Sequence, residues 1–195
     1  KNQPDIQISN RLKKSSIFVT QNNLNSDRIC FFNLKIDFIS KKINGDQYIK
    51  EIKEIALSCK LKSDFQFASE IYREISIVYR NSGNYNQMIY CTSQSLNYLD
   101  GKEVFKDDLK NSSKDVIELI KTLLTTRLTV EQLSNLSYAI NRYCDAFSLK
   151  GDHVSVNLLT DYNIVVNKKI KDYRGLVHSY RHKGKSLFFL EKYAE

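Results

Sequence analysis

The chain has 195 residues with one proline, six glycines and no tryptophan, against twelve tyrosines and ten phenylalanines, and its formal net charge is +8. Many short strands would need more turn residues than this, so a β-sandwich or barrel is excluded and a helical chain of one domain, or two small ones, is expected. At 42% hydrophobic and 27% charged residues the composition is that of an ordered globular chain, and no run of about 18 apolar residues marks a membrane span.

Residues 1–26 are polar, rich in Asn, Gln and Ser, and hold the only proline, Pro4. They read as an N-terminal tail or a link to an upstream domain, with residues 27–195 as a helical repeat domain cut short at its C-terminal side. Lys1 opens the sequence with no apolar leader behind it, so a trimmed piece of a longer protein is expected. From Arg28 onward, Ile29, Phe32, Ile36, Ile39 and Ile43 recur at helical steps until Asn44-Gly45-Asp46 breaks the pattern. Tyr48, Ile52, Ile55, Ala56 and Cys59 make a second helical face, and Ala68, Ile71, Tyr72, Ile75, Val78 and Tyr79 a third. Ser82-Gly83-Asn84 closes that helix, with Gly83 suited to the left-handed position after it. A fourth helix turns Tyr85, Met88, Ile89, Thr92, Leu96 and Leu99 inward and ends at Asp100-Gly101.

A polar connection follows over 102–114. Ser112 or Ser113 can cap a fifth helix carrying Val116, Ile120, Leu123 and Leu124. Thr129-Val130-Glu131-Gln132 is a capping box that opens a sixth, with Leu133, Leu136, Ile140, Tyr143 and Phe147 on one face. After Lys150-Gly151-Asp152 a seventh carries Leu158, Leu159, Tyr162, Val165 and Val166. Asp172 caps an eighth, with Leu176, Tyr180, Leu187 and Leu190 inward and Gly175 and Gly184 inside it. Cys30, Cys59, Cys91 and Cys144 are widely spaced within these apolar patterns. They are expected as buried free thiols in a reducing compartment, hence a cytoplasmic protein.

Gly83 and Gly151 are 68 residues apart, two periods of about 34. Residues 69–99 resemble one tetratricopeptide repeat. Tyr72, Ile75, Ser76 and Tyr79 match the first helix, Gly83 the turn, and Tyr85, Met88 and Ser95 the second helix, with Met88 replacing the small residue the family prefers. Ile140, Tyr143, Cys144, Phe147, Gly151 and Val156 make a second match. Tyr180, Gly184, Leu187 and Tyr193 make a third, in which Gly184 takes the position of closest helix approach. The pairs at 28–61 and 102–128 match only in apolar period. The resemblance implies an all-α fold: a right-handed α-solenoid of antiparallel helix pairs, about eight helices in all, partly degenerate.

No G-x-S-x-G, P-loop or G-x-G-x-x-G occurs, and His178 and His182 stand four apart without the H-E-x-x-H pattern. No enzyme, cofactor or metal site is expected. In tetratricopeptide-like repeats the first helix of each pair lines an inner groove. Carried onto this sequence, that implies Arg73, Ile77 and Arg80 from the first match, Asn141, Arg142 and Asp145 from the second, and His178, Arg181 and Lys185 from the third. Arg offers a fixed fork of donors for a carboxylate, and Asn can pair with both donor and acceptor of an extended backbone. The groove is therefore expected to hold a peptide or protein segment with an acidic group or free C-terminus. The Lys, Ile and Asn-rich composition is also similar to the repeat domains of RRNPP-type bacterial peptide-pheromone receptors. That resemblance implies the sensor part of a transcription regulator in quorum sensing, with nucleic acid bound through an upstream domain and a homodimer allowed. A scaffold without small ligand, and weak direct nucleic-acid binding through the basic charge, are the alternatives.

Overall fold

The computed structural model describes residues 26–99 and 112–191. The expected tail before Ser26, the stretch 100–111 that holds Gly101 and most of the expected 102–114 connection, and Tyr193 of the third repeat match lie outside the described residues. Within them every regular element is an α-helix: α1 Ser26–Ile39, α2 Gly45–Leu61, α3 Phe65–Asn81, α4 Tyr85–Asn97, α5 Ser113–Thr125, α6 Val130–Leu149, α7 His153–Ile170 and α8 Tyr173–Phe189. None of these is long and apolar enough to cross a membrane. The chain is all-α, as its turn-residue scarcity predicts.

Local chemistry sets the boundaries. Asn44, Asp64, Asn84, Ser112, Thr129, Asp152 and Asp172 each accept a hydrogen bond from the backbone N–H three residues on, so α2 to α8 all start on a side-chain cap. Thr129 and Gln132 close the capping box in both directions. Gly83 and Gly151 take φ of 74° and 75° in the turns after α3 and α6, where a side chain would be strained.

Successive helices α1 to α4 pack side by side, as do α6 to α8. Turns of two to five residues make these neighbours antiparallel. α5 packs on α4 and α7, while α6 packs on α4 and α8. Alternate helices consequently share a side. Arg28 pairs with Asp64 at 3.4 Å and Lys35 with Glu74 at 2.8 Å, linking α1 to the start and middle of α3. Arg73 donates to Asn135 at 2.7 Å and Arg80 pairs with Asp145 at 2.9 Å, linking α3 to α6. In each set the residue numbers rise together on both helices, so α1, α3 and α6 run parallel.

Two hydrophobic cores result. One is built from α1, α2 and α3 with Cys91 and Tyr98; the other from Met88, Ile89, Leu96 and Leu99 with residues of α5, α6 and α7. Cys91, Tyr98 and the second set all come from α4 and its end, so that helix is the wall between the cores. Its polar side chains are buried too: Thr92, Ser93, Gln94, Ser95 and Asn97. Ser69 Oγ donates to the Ser95 carbonyl at 2.7 Å, and Ser93 and Tyr143 share a hydrogen bond of 2.9 Å. The second face of α4 was not visible in its apolar spacing, which marks only the Met88 side.

The C-terminal helices are locked by a buried polar chain. Ser137 Oγ donates to Asn167 Oδ1 at 2.8 Å, and Asn167 Nδ2 donates to Ser179 Oγ at 3.1 Å, crossing α6, α7 and α8. Gly175 is the residue of close approach. A Cβ there would lie 2.5 Å from Asn167 Oδ1 and 2.6 Å from Asp172 Oδ2. The repeat match assigns that role to Gly184, but a Cβ at Gly184 meets nothing within 4 Å among the described residues, and Gly184 is exposed. Tyr180, Val165 and Leu158, expected inward, are exposed as well. Leu158 and Val165 each stand one residue, about 100°, off the buried Leu159 and Val166, and Tyr180 one residue off the buried Ser179. Cys30 is exposed, not buried; the other three cysteines are buried and all four are free.

The two glycines of α8 should therefore respond oppositely to alanine. Gly175→Ala must displace Asn167 from its hydrogen bonds and should cost about 1–3 kcal/mol. Gly184→Ala stands in open space on a helix and should gain about 0.5–1 kcal/mol. Urea unfolding followed by helical circular dichroism measures both.

Candidate functional site

The shared side of α3, α6 and α8 carries most of the residues selected from the sequence. On α3 the stripe Arg73, Ile77, Arg80 follows the helical period, and on α6 the stripe Asn135, Tyr138, Arg142, Asp145, Leu149 does the same. A cavity of about 500 Å³ opens where the C-terminal half of α3, the end of α6 and α8 meet, lined by Arg80, Tyr85, Asp145, Ser148, Leu149, Arg181, His182 and Lys185. Of the nine predicted residues it joins Arg80, Asp145, Arg181 and Lys185. Tyr85 and Leu149 supply an apolar wall, and Ser148 a hydroxyl.

Asp145 is the hinge of this cavity. Its carboxylate holds Arg80 at 2.9 Å and lies 3.6 Å from His182 Nε2. His182 is buried, and that burial holds its imidazole below the usual histidine value; Arg181, His178 and Lys185 push the same way, while Asp145 pulls back up. The basic rim belongs to Arg181 and Lys185, both exposed on α8.

A second cavity of about 320 Å³ lies at the other end of the same two helices, with Glu70 and Arg73 from α3 and Glu131 and Asn135 from α6 among its walls. Burial raises the Glu70 carboxyl above the ordinary range, against the pull of Arg28 and Arg73 and with help from Glu131 and Asp64. Between the two cavities sits Arg142. Burial, with Arg73 and Arg80 on either side, pushes its guanidinium down to about 10.

The remaining predicted residues are placed differently. Ile77 is half-buried on the α3 stripe, and His178 half-buried on α8 one turn from His182. Asn141 accepts from Asn163 Nδ2 of α7 at 3.0 Å, so its amide is engaged in the α6–α7 packing. Sequence reasoning passed over His182, Tyr138, Tyr85 and Leu149. Tyr138 was legible: it stands four before Arg142 on the same stripe, and it is 56% exposed. His182 was visible only as the i, i+4 partner of His178. Tyr85 and Leu149 owe their place to helix ends meeting across the turn, which no local spacing encodes.

Burial pushes the Cys59 and Cys91 thiols up to about 12, the former further raised by Asp27 and Asp64, which suppresses the reactive thiolate. The arrangement offers fixed charges, hydrogen-bond donors and an apolar wall in an elongated trough, the equipment of recognition.

No protein family model matches this chain, and neither curated proteins nor solved structures contain a match to it.

The depressed His182 has a sign that can be checked. The unfolded chain takes up the proton at the ordinary value of 6.5 and the folded chain only below it. Stability is therefore full above that value and falls as pH drops through the interval beneath it. His182→Gln should flatten the loss of stability between about pH 6.5 and 5. This window lies above the carboxylates that also weaken the fold in acid, and thermal unfolding at half-unit pH steps reads it.

Proposed function

We propose that this chain is a non-enzymatic, tetratricopeptide-like binding module that holds a short peptide or an extended protein segment along the α3–α6–α8 side. The observation that carries it is the 500 Å³ cavity in which Arg80, Arg181 and Lys185 surround an apolar wall of Tyr85 and Leu149. Guanidinium forks suit a carboxylate, and the apolar wall suits a side chain beside it. From Asn135 to Leu149 the α6 stripe runs roughly 21 Å, about the length of six extended residues. The ligand this favours is an acidic peptide, or one with a free C-terminal carboxylate at the α8 end. The resemblance to bacterial peptide-pheromone receptors is in keeping with a sensor role, with peptide binding biasing the helical stack between two packings.

Affinity selection from a random pool of free hexapeptides should enrich acidic sequences. Arg80→Ala and Arg181→Ala should each weaken a selected peptide about tenfold or more, as loss of a charge-assisted pair does. Enrichment no better than a protein-free control, or unchanged affinity in both variants, overturns the proposal. Tight binding of oligonucleotide that declines steeply with salt would favour the scaffold's basic charge instead.

A further inference from the structure

We propose that Arg73, Arg80 and Arg142 form a binding site for a phosphoryl dianion on the α3–α6 side, between the two cavities. Arg73 and Arg80 reach from α3 to Asn135 and Asp145 of the parallel α6, and Arg142 stands between those two positions on α6. Arg73 donates to the neutral amide of Asn135 at 2.7 Å, and Arg80 is taken by Asp145 at 2.9 Å. Arg142 is half-buried and, among the described residues, makes neither hydrogen bond nor ion pair. The acid nearest in influence on it, Glu74, is already held by Lys35 at 2.8 Å. Among the described residues Arg73 likewise has no carboxylate within ion-pair distance.

A half-buried arginine pressed between two others is a costly arrangement for a protein to keep without a partner. Arg73 and Arg142, the two guanidiniums without a carboxylate at ion-pair distance among the described residues, carry two positive charges. A phosphoryl group near neutral pH carries close to two negative ones, on three acceptor oxygens. A carboxylate supplies one charge and two oxygens, and leaves one fork unmatched. Arg142 is itself partly exposed, on the same stripe as the exposed Tyr138. The site shares with the peptide reading the premise that this side of the molecule meets a ligand, and deepens it by naming the group that the middle of the trough takes.

The test is a titration of the full chain with inorganic phosphate, and with acetate at matched ionic strength, followed by calorimetry and thermal unfolding. Phosphate should raise the melting temperature saturably and acetate should not. Arg142→Met should bind phosphate at least about tenfold more weakly, and in phosphate-free buffer should melt no lower than the parent, since it removes an unpaired charge. Should that variant lose its helical signal, Arg73→Gln on the opposite helix serves the same comparison. A phosphoserine hexapeptide against its unphosphorylated twin, and a sugar monophosphate, separate a phosphorylated protein segment from a phosphorylated small molecule as the source; binding of either supports the site. Equal response to acetate and phosphate, or a phosphate response unchanged in the variants, overturns it. A chain that selects hexapeptides but ignores phosphate loses this site and keeps the peptide reading. One that binds phosphate through Arg142 and selects no peptide does the reverse.

Discussion

The burial of α4 from Cys91 to its end is the constraint on which the rest of the molecule depends. Between Arg80 and Asp100 the chain carries no charged residue, in a sequence that is otherwise 27% charged. Thr92, Ser93, Gln94, Ser95 and Asn97 are polar yet small or easily satisfied, so they can be enclosed provided each finds a partner. Ser69 and Tyr143, from opposite sides, answer two of them. A lysine between Cys91 and Asn97, where every residue is buried, would have to leave the core or lose its charge. With that part of α4 enclosed, α3 and α6 lie close enough for Arg73 and Arg80 to reach Asn135 and Asp145. The trough is thus a by-product of a helix that keeps no exposed residue beyond its first turn.

Charge on the trough side is arranged as rungs, each crossing from one helix to the next. Arg28–Asp64, Lys35–Glu74 and Arg80–Asp145 are partly exposed, so each contributes little to stability. Their effect is on register, since parallel helices held at two points cannot slide by a turn without losing both. Arg142 is the break in this regularity: a position on the stripe where the rung has a cation and no anion.

The parts of the fold legible in sequence were those governed by local chemistry. Capping residues, left-handed glycines and the 3.6-residue period are properties of a few adjacent residues, and all eight helices were found from them. What depended on distant residues was hidden. Gly175 and Gly184 are equivalent in local pattern, and only the arrival of Asn167 from α7 separates them. The same holds for the second face of α4, whose apolar members Cys91 and Tyr98 are too few to form a stripe. For the site, Arg80, Asp145, Arg181 and Lys185 meet in one cavity from three helices; the helical period picks the face of each, a local property, and packing brings the faces together. Asn141 departed because its amide met Asn163 across a packed interface, and the unpaired state of Arg142 depends on Lys35 having claimed Glu74 and Arg80 having claimed Asp145.

Because α4 closes both cores at once, the molecule departs from the behaviour of an ideal repeat array. In such an array each unit touches only its neighbours, and unfolding can creep inward from an end. Here, opening either core strips one flank of α4 and leaves its buried hydroxyls and amides facing water on that side. The other core is then built against a wall that has lost half its support. Melting of the two halves is tied into a single cooperative event, and strain applied at α1 or at α8 is felt across the whole stack instead of being absorbed one helix at a time.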